Sequence, residues 1–285
     1  MKRNNLGPLL FALTLHPVVL SITSKCKLDL NAWYLDDGTI IGDTFKVSKA
    51  LDIIQSEGVR RGLHLNITKT ELFWPTPDQR SLIPGIFPAN IGRPSTGVKL
   101  LGGPVSLDLQ FCKEMVMQRV TKTINLMSVV KKLKDPQSEL LLLRNCTGVS
   151  RLYFTMHTTN PLTLQQAMTH FDDHLFHYLR QLITADGAGF GQLQYRIATL
   201  PIKYGGLGVY TMHDTSNYCY LASQFQTRAI HDVILKDIPP NSSSSTYQQA
   251  LAAYIQVCGL TSSHIALTIQ PLILCTPWMF YTSKQ

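Results

Sequence analysis

A chain of 285 residues, 45% of them hydrophobic, has enough apolar side chain to bury the core of one large or two modest domains, which excludes a disordered polypeptide. Its 26 Lys plus Arg against 18 Asp plus Glu leave a net charge of +8, which points to a polyanionic partner. Cys26, Cys112, Cys146, Cys219, Cys258 and Cys275 are scattered without a C-x-x-C pair, which argues against a zinc finger or a disulfide framework and fits a reducing compartment.

Met1-Lys2-Arg3 and the apolar run over residues 6–22 imitate a secretory signal. His16 and Pro17 interrupt the run, and residues 21–25 offer no small-residue cleavage site, so an intracellular chain is expected, not secreted and not in a membrane. No later segment supplies about 20 uninterrupted apolar residues. Residues 6–24 read as a helix, kinked or ended near Pro17. A hairpin follows, with strands at residues 32–35 and 39–41 and Asp36-Asp37-Gly38 as its turn. Residues 44–61 have helical spacing, which Gly62 stops.

Residues 63–65 and 71–74 read as short strands around a polar turn, 75–97 as a Pro/Gly-rich loop, and 98–101 as another strand. Helical periodicity then covers 111–134, 136–147, 163–184 and 212–235, the last with Leu221, Phe225, Ala229 and Val233 on one side. A Ser-rich break falls at 241–245. The expected fold class is α+β, with a front domain over 1–106 and a mainly helical one over 107–285.

The chemistry concentrates in Tyr34-Leu35-Asp36-Asp37, two adjacent carboxylates at the tip of a strand-turn-strand unit. Side-by-side anions repel, and a divalent cation is the partner that makes them useful, because two magnesium ions can activate a hydroxyl and neutralise a leaving pyrophosphate. The competing explanation is an ordinary solvated Asp-Asp-Gly turn.

The segment resembles the Y-x-D-D motif of reverse transcriptases, and the surrounding order is similar to that of the non-LTR, LINE-type enzymes. Leu6-Gly7-Pro8-Leu9-Leu10-Phe11 resembles the end of the motif that leads into the palm helix. Gly62-Leu63-His64-Leu65-Asn66, continued by Lys69 and Glu71, resembles G-L-x-L-N-x-x-K-x-E, and Lys99-Leu100-Leu101-Gly102 resembles the hairpin that grips the primer terminus. Leu200-Pro201-Ile202-Lys203-Tyr204-Gly205-Gly206-Leu207-Gly208 looks like a segment found downstream of such polymerase domains.

The resemblance implies a partial polymerase palm, an antiparallel sheet with packed helices, followed by a thumb. It implies Mg2+ or Mn2+ on Asp36 and Asp37, Lys69 near the triphosphate, and an RNA/DNA template-primer along Tyr34, Lys99, Leu101, Gly102, Lys131, Lys132 and Lys134. A nuclear or cytoplasmic location follows from the same analogy. Only 35 residues precede Asp36, and residues 1–28 contain no Asp or Glu, so the third carboxylate and the fingers of that family have no counterpart here. A reverse transcriptase-like fragment inactive by itself is therefore expected, with an exposed palm face that another protein could cover. The alternatives are an active RNA-directed DNA polymerase completed by another chain or exon, and a domesticated module that binds nucleic acid or protein without enzymatic activity.

Two further patterns have plainer explanations. His170, Asp172, Asp173, His174 and His177 resemble a metal cluster but lack the Glu of H-E-x-x-H, and surface or half-buried helix positions account for them. The glycines at 205–208 lack the Gly-Lys-Ser/Thr end of a phosphate loop and read as a tight turn.

Overall fold

The structure, a computed structural model, describes residues 6–185, 187–235 and 245–258. They form a mostly helical chain with two small antiparallel sheets, coarsely α+β. The chain divides into a front unit, up to Val98 with residues 230–235, and a rear unit from Lys99 to Ala229 with residues 245–258.

In the front unit α1 (Gly7–Lys25) runs on with Pro17 inside it, so of the kink or end expected there, the end does not occur. The helix is held beyond the proline by burial, since Leu15, Val18 and Ile22 pack against Ala50 and Ile53 of α2 (Thr44–Val59). Lys25 adds an ion pair to Glu57 at 2.7 Å, and Ser21 donates to the same carboxylate at 2.7 Å. The hairpin of β1 (Leu30–Tyr34) and β2 (Asp37–Ile41) lays Trp33 and Ile40 on this cluster.

Away from that cluster α1 leaves Leu9, Leu10, Leu13 and Leu20 more than half exposed. By length and composition alone this helix is long and apolar enough to cross a membrane, with 17% of the apolar window buried.

The expected strands at 63–65 and 71–74 are not formed. Leu65, Ile67, Leu72 and Trp74 instead pack with Leu51 of α2, Phe87 and Ile91, so their alternation reflects packing on a helix. Asn66 caps a 3-10 turn over Ile67–Lys69, and the sole strand-like contact is an isolated bridge between Glu71 and Gly92. Arg80 fastens the 75–97 loop to the start of α2 by pairing with Asp78 at 2.9 Å and with the N-capping Asp43. Hydrogen bonds from the Arg80 side chain, the Arg80 backbone N–H and the Thr44 hydroxyl hold the Asp78 carboxylate and depress it to about 2.

The rear unit is entered within β3 (Val98–Leu100), which forms a hairpin with β4 (Gly103–Val105). The two hairpins are separate two-stranded sheets rather than parts of one. Helix α3 (Leu109–Val130) is capped by Asp108, whose carboxylate accepts from the Gln110 N–H at 2.8 Å. It is followed by α4 (Pro136–Leu142), a π-turn over Leu143–Thr147, α5 (Tyr153–Thr158) and α6 (Pro161–Thr184).

Leu164, Ala167, Met168, Phe171, Leu175 and Leu179 recur at helical spacing along α6 and meet Val116, Val120 and Met127 of α3. Helices α7 (Gln192–Ala198), α8 (Met212–Leu235) and α9 (Ser245–Cys258) complete the described chain. The expected helices at 111–134, 136–147, 163–184 and 212–235 are present, while α9 was not expected and the short α5 and α7 carry too few turns to show a period. Of the stripe on α8, Leu221 is buried but Phe225 and Val233 are exposed. Residues 241–244 of the Ser-rich break lie outside the described residues, and Ser245 opens α9.

Candidate nucleic-acid and metal site

Cross-strand pairing sets where the carboxylates stand. Tyr34 pairs with Asp37 and Trp33 with Gly38, so the turn consists of Leu35 and Asp36, one residue earlier than the Asp-Asp-Gly pattern suggests. Gly38 is needed within the strand, because a Cβ there would lie 2.5 Å from the Trp33 ring. Leu35 takes the left-handed backbone instead, at φ 55°.

Tyr34, Asp36 and Asp37 are exposed, and neither carboxylate has a hydrogen-bond or ion-pair partner among the described residues. Among those residues no group of three or more His, Cys, Asp or Glu could hold a metal ion. Two adjacent carboxylates at a solvated tip suit one weakly held, largely hydrated magnesium ion and do not fit a two-metal centre.

Lys69 ends the 3-10 turn capped by Asn66 and is exposed. Its neighbour Ile67 packs with Leu51 and Phe87, a cluster distinct from the one holding Trp33 and Ile40. No hydrogen bond or ion pair joins Lys69 to Asp36 or Asp37 among the described residues.

In the rear unit the second hairpin turns on Leu101 at φ 47° and Gly102 at φ 93°, the two positive angles of a tight hairpin turn. Lys99 and Leu101 are exposed there. Beneath the turn lies Arg119 of α3, whose Nη2 would stand 2.5 Å from a Cβ on Gly102. Its Nη1 donates to Thr155 Oγ1 at 3.0 Å and its guanidinium lies 5.6 Å from the Phe154 ring centre. Burial lowers the Arg119 pKa, and no carboxylate pairs with it among the described residues.

The sequence does not single out this half-buried cation, because Arg119 lies on α3 between Lys113 and Lys122, which are both exposed. Gly102→Ala is expected to destabilise the rear unit by about 1–3 kcal/mol, through a strained φ and displacement of Arg119. Thermal unfolding of the variant checks this, and an unchanged midpoint would contradict the packing described.

Lys131, Lys132 and Lys134 are all exposed at the C-terminal end of α3, where cations complement the helix dipole. They leave three positive charges on one short segment that is free to meet phosphates.

The His/Asp pattern on α6 is structural. Asp172 Oδ1 accepts from the Met212 N–H at 2.7 Å and Oδ2 from the His213 N–H at 3.0 Å, so this side chain caps the start of α8. Burial pushes its carboxyl up to about 6. His174 Nδ1 lies 2.8 Å from the carbonyl of His170, and Asp173, His174 and His177 are exposed.

The glycine segment also closes on itself. The N–H groups of Gly205, Gly206, Leu207 and Gly208 donate to the carbonyls of Ile202, Pro201, Ala198 and Leu200, leaving none of these four to cradle a phosphate. No family model, no curated protein and no solved structure matches this chain.

Proposed function

We propose that the chain is a reverse transcriptase-like fragment of the LINE type, in which the front unit is palm-like and the rear unit thumb-like. The observation that supports this most is the Asp36–Asp37 pair, exposed and unpaired at the end of an antiparallel hairpin packed on α1 and α2. An ordinary hairpin has no need of two adjacent anions, whereas a metal-dependent phosphoryl-transfer site does. Support for a nucleic-acid partner comes from the net charge of +8, the exposed Lys131, Lys132 and Lys134, and the Lys99–Gly102 turn over Arg119.

In this reading the chain alone makes no DNA. Two carboxylates without a third leave the metal loosely held and the reacting atoms unpositioned. When bound, Mg2+ or Mn2+ would supply charge neutralisation at Asp36 and Asp37, and this chain's own contribution is to present the pair on a rigid hairpin.

The test has two parts. Primer extension on a homopolymer RNA template, with magnesium or manganese, should give no product from either the wild-type chain or its Asp36→Ala/Asp37→Ala variant. Product from the wild type alone would overturn the claim of inactivity and favour a polymerase whose third ligand comes from elsewhere. An RNA/DNA hybrid should bind with strong salt dependence, and replacing Lys131, Lys132 and Lys134 with Ala should flatten the slope by about 2–3 on a log-log plot. Binding indifferent to salt and to these lysines would sink the nucleic-acid reading.

The exposed leucines of α1 favour one second reading, a non-enzymatic module that uses this face against a protein partner. A stable complex with a defined protein, together with no salt-sensitive binding of the hybrid, would select it.

A further inference from the structure

We propose that the rear unit contains a binding site for a single phosphate group, built around Arg144 and independent of the carboxylate hairpin. A cavity of about 180 Å³ is lined by Arg144, Asn145, Tyr153, Gly208 and Tyr210 among others. This is ample room for a phosphate group.

Arg144 sits in the π-turn Leu143–Thr147, an irregular turn of the kind often kept where a helix serves a site. Its Nε is buried and has no hydrogen-bond partner, and among the described residues its guanidinium makes no hydrogen bond or ion pair. The contrast with two other arginines is sharp. Arg80 holds two carboxylates, and Arg119 has the Thr155 hydroxyl and the Phe154 ring.

A guanidinium has only donors and stays charged, so the buried Nε calls for an acceptor, and an anion supplies that acceptor while also meeting the charge. No carboxylate lines the cavity to do this from within. Tyr153 adds no competing anion, since burial pushes its phenol up to about 12.

The lining favours phosphate over carboxylate. An arginine fork engages two oxygens side by side, which is all that a carboxylate has, while Tyr210 and Asn145, whose Nδ2 also donates to the Leu141 carbonyl at 3.1 Å, line the same cavity and offer donors to the remaining oxygens of a tetrahedral anion. The glycine segment closes the cavity without supplying donors. Gly208, at φ 65°, takes a left-handed backbone where a Cβ would press on Ile202 Cγ1 at 3.0 Å and meet Arg144 Cδ at an ordinary contact distance of 3.9 Å.

The full chain is titrated with inorganic phosphate and followed by phosphorus NMR and by thermal unfolding. Saturable binding is expected, with sulfate competing and acetate not, and Arg144→Gln losing about tenfold or more in affinity. Arg144→Lys, which keeps the charge but not the fork, should fall between the two and serves if the glutamine variant does not fold.

Unsaturable binding by the wild type, equal binding by all three proteins, or equal competition by acetate would each overturn the site. Asp36→Ala/Asp37→Ala should bind phosphate as the wild type does, which separates this outcome from that of the polymerase reading. Competition by a short, terminally phosphorylated oligonucleotide, but not by its unphosphorylated counterpart, would identify the source as a strand end. Competition by neither would identify free phosphate.

Discussion

Replacing Phe171 with alanine should lower the stability of the rear unit by about 3–5 kcal/mol, the range for emptying a large aromatic from a packed core. Phe171 is 0% exposed, midway along α6, within the cluster that joins α6 to α3 and to the segments around Leu143, Leu152 and Met212. The elements that meet there come from distant parts of the chain and are tied by caps at fixed positions, so the cavity cannot collapse cheaply. Leu162 lies on the same helix but is 59% exposed, and its replacement by alanine should change stability by no more than about 0.5 kcal/mol. Urea unfolding, with hydrogen exchange reporting protection of α3 and α6, measures both. Similar small losses for the two variants would mean that α6 is not the centre of the unit.

The helices that build that core were legible in advance because they are long. Over α3, α6 and α8 the apolar spacing persists for several turns, whereas the caps Asp108 and Asn160, which accept from the Gln110 and Leu162 N–H groups, start α3 and α6 two residues before the expected 111 and 163. The segment from Leu63 to Trp74 misled for a physical reason. Its apolar residues alternate because they dock successively onto α2, and alternation of that kind is shared by strands and by extended chain laid on a helix. The one-residue shift of the first turn has a similar origin. Local turn preference favours glycine at the bend, but the Trp33 ring claims the space beside Gly38, and Leu35 adopts the positive φ in its place.

The site divides along the same line. Asp36, Asp37 and the lysines at the end of α3 stand out in the sequence because their signal is local, either adjacency or clustering. Arg119, Arg144 and Asp172 do not, since what distinguishes them is burial by residues far along the chain. Phe154 and Thr155 gather around Arg119, Gly208 around Arg144, and the first residues of α8 around Asp172. A charge placed in such a setting has no periodic signature, and only the packed structure separates it from a solvated one.

Asp172 gives the second large effect, and its sign is set by a contest between two forces. Burial disfavours the charged carboxylate and pushes its pKa up to about 6, while the N–H groups of Met212 and His213 pull it down. The charge of Asp214 raises it and that of His213 lowers it, both by less. With the folded value above the ordinary 3.8, the folded chain binds the proton more tightly than the unfolded one, so this group's contribution is complete below pH 4 and is lost as pH rises through 6. A shift of this size corresponds to at most about 3 kcal/mol. Asp172→Asn keeps an oxygen to accept from the start of α8 but cannot ionise, so the stability difference between wild type and variant should fall by about 2–3 kcal/mol from pH 4 to pH 7. Other titrating groups cancel in that difference. Chemical denaturation at four or five pH values would measure it, and a difference that rose with pH would mean that the positive end of α8 outweighs burial at this carboxylate.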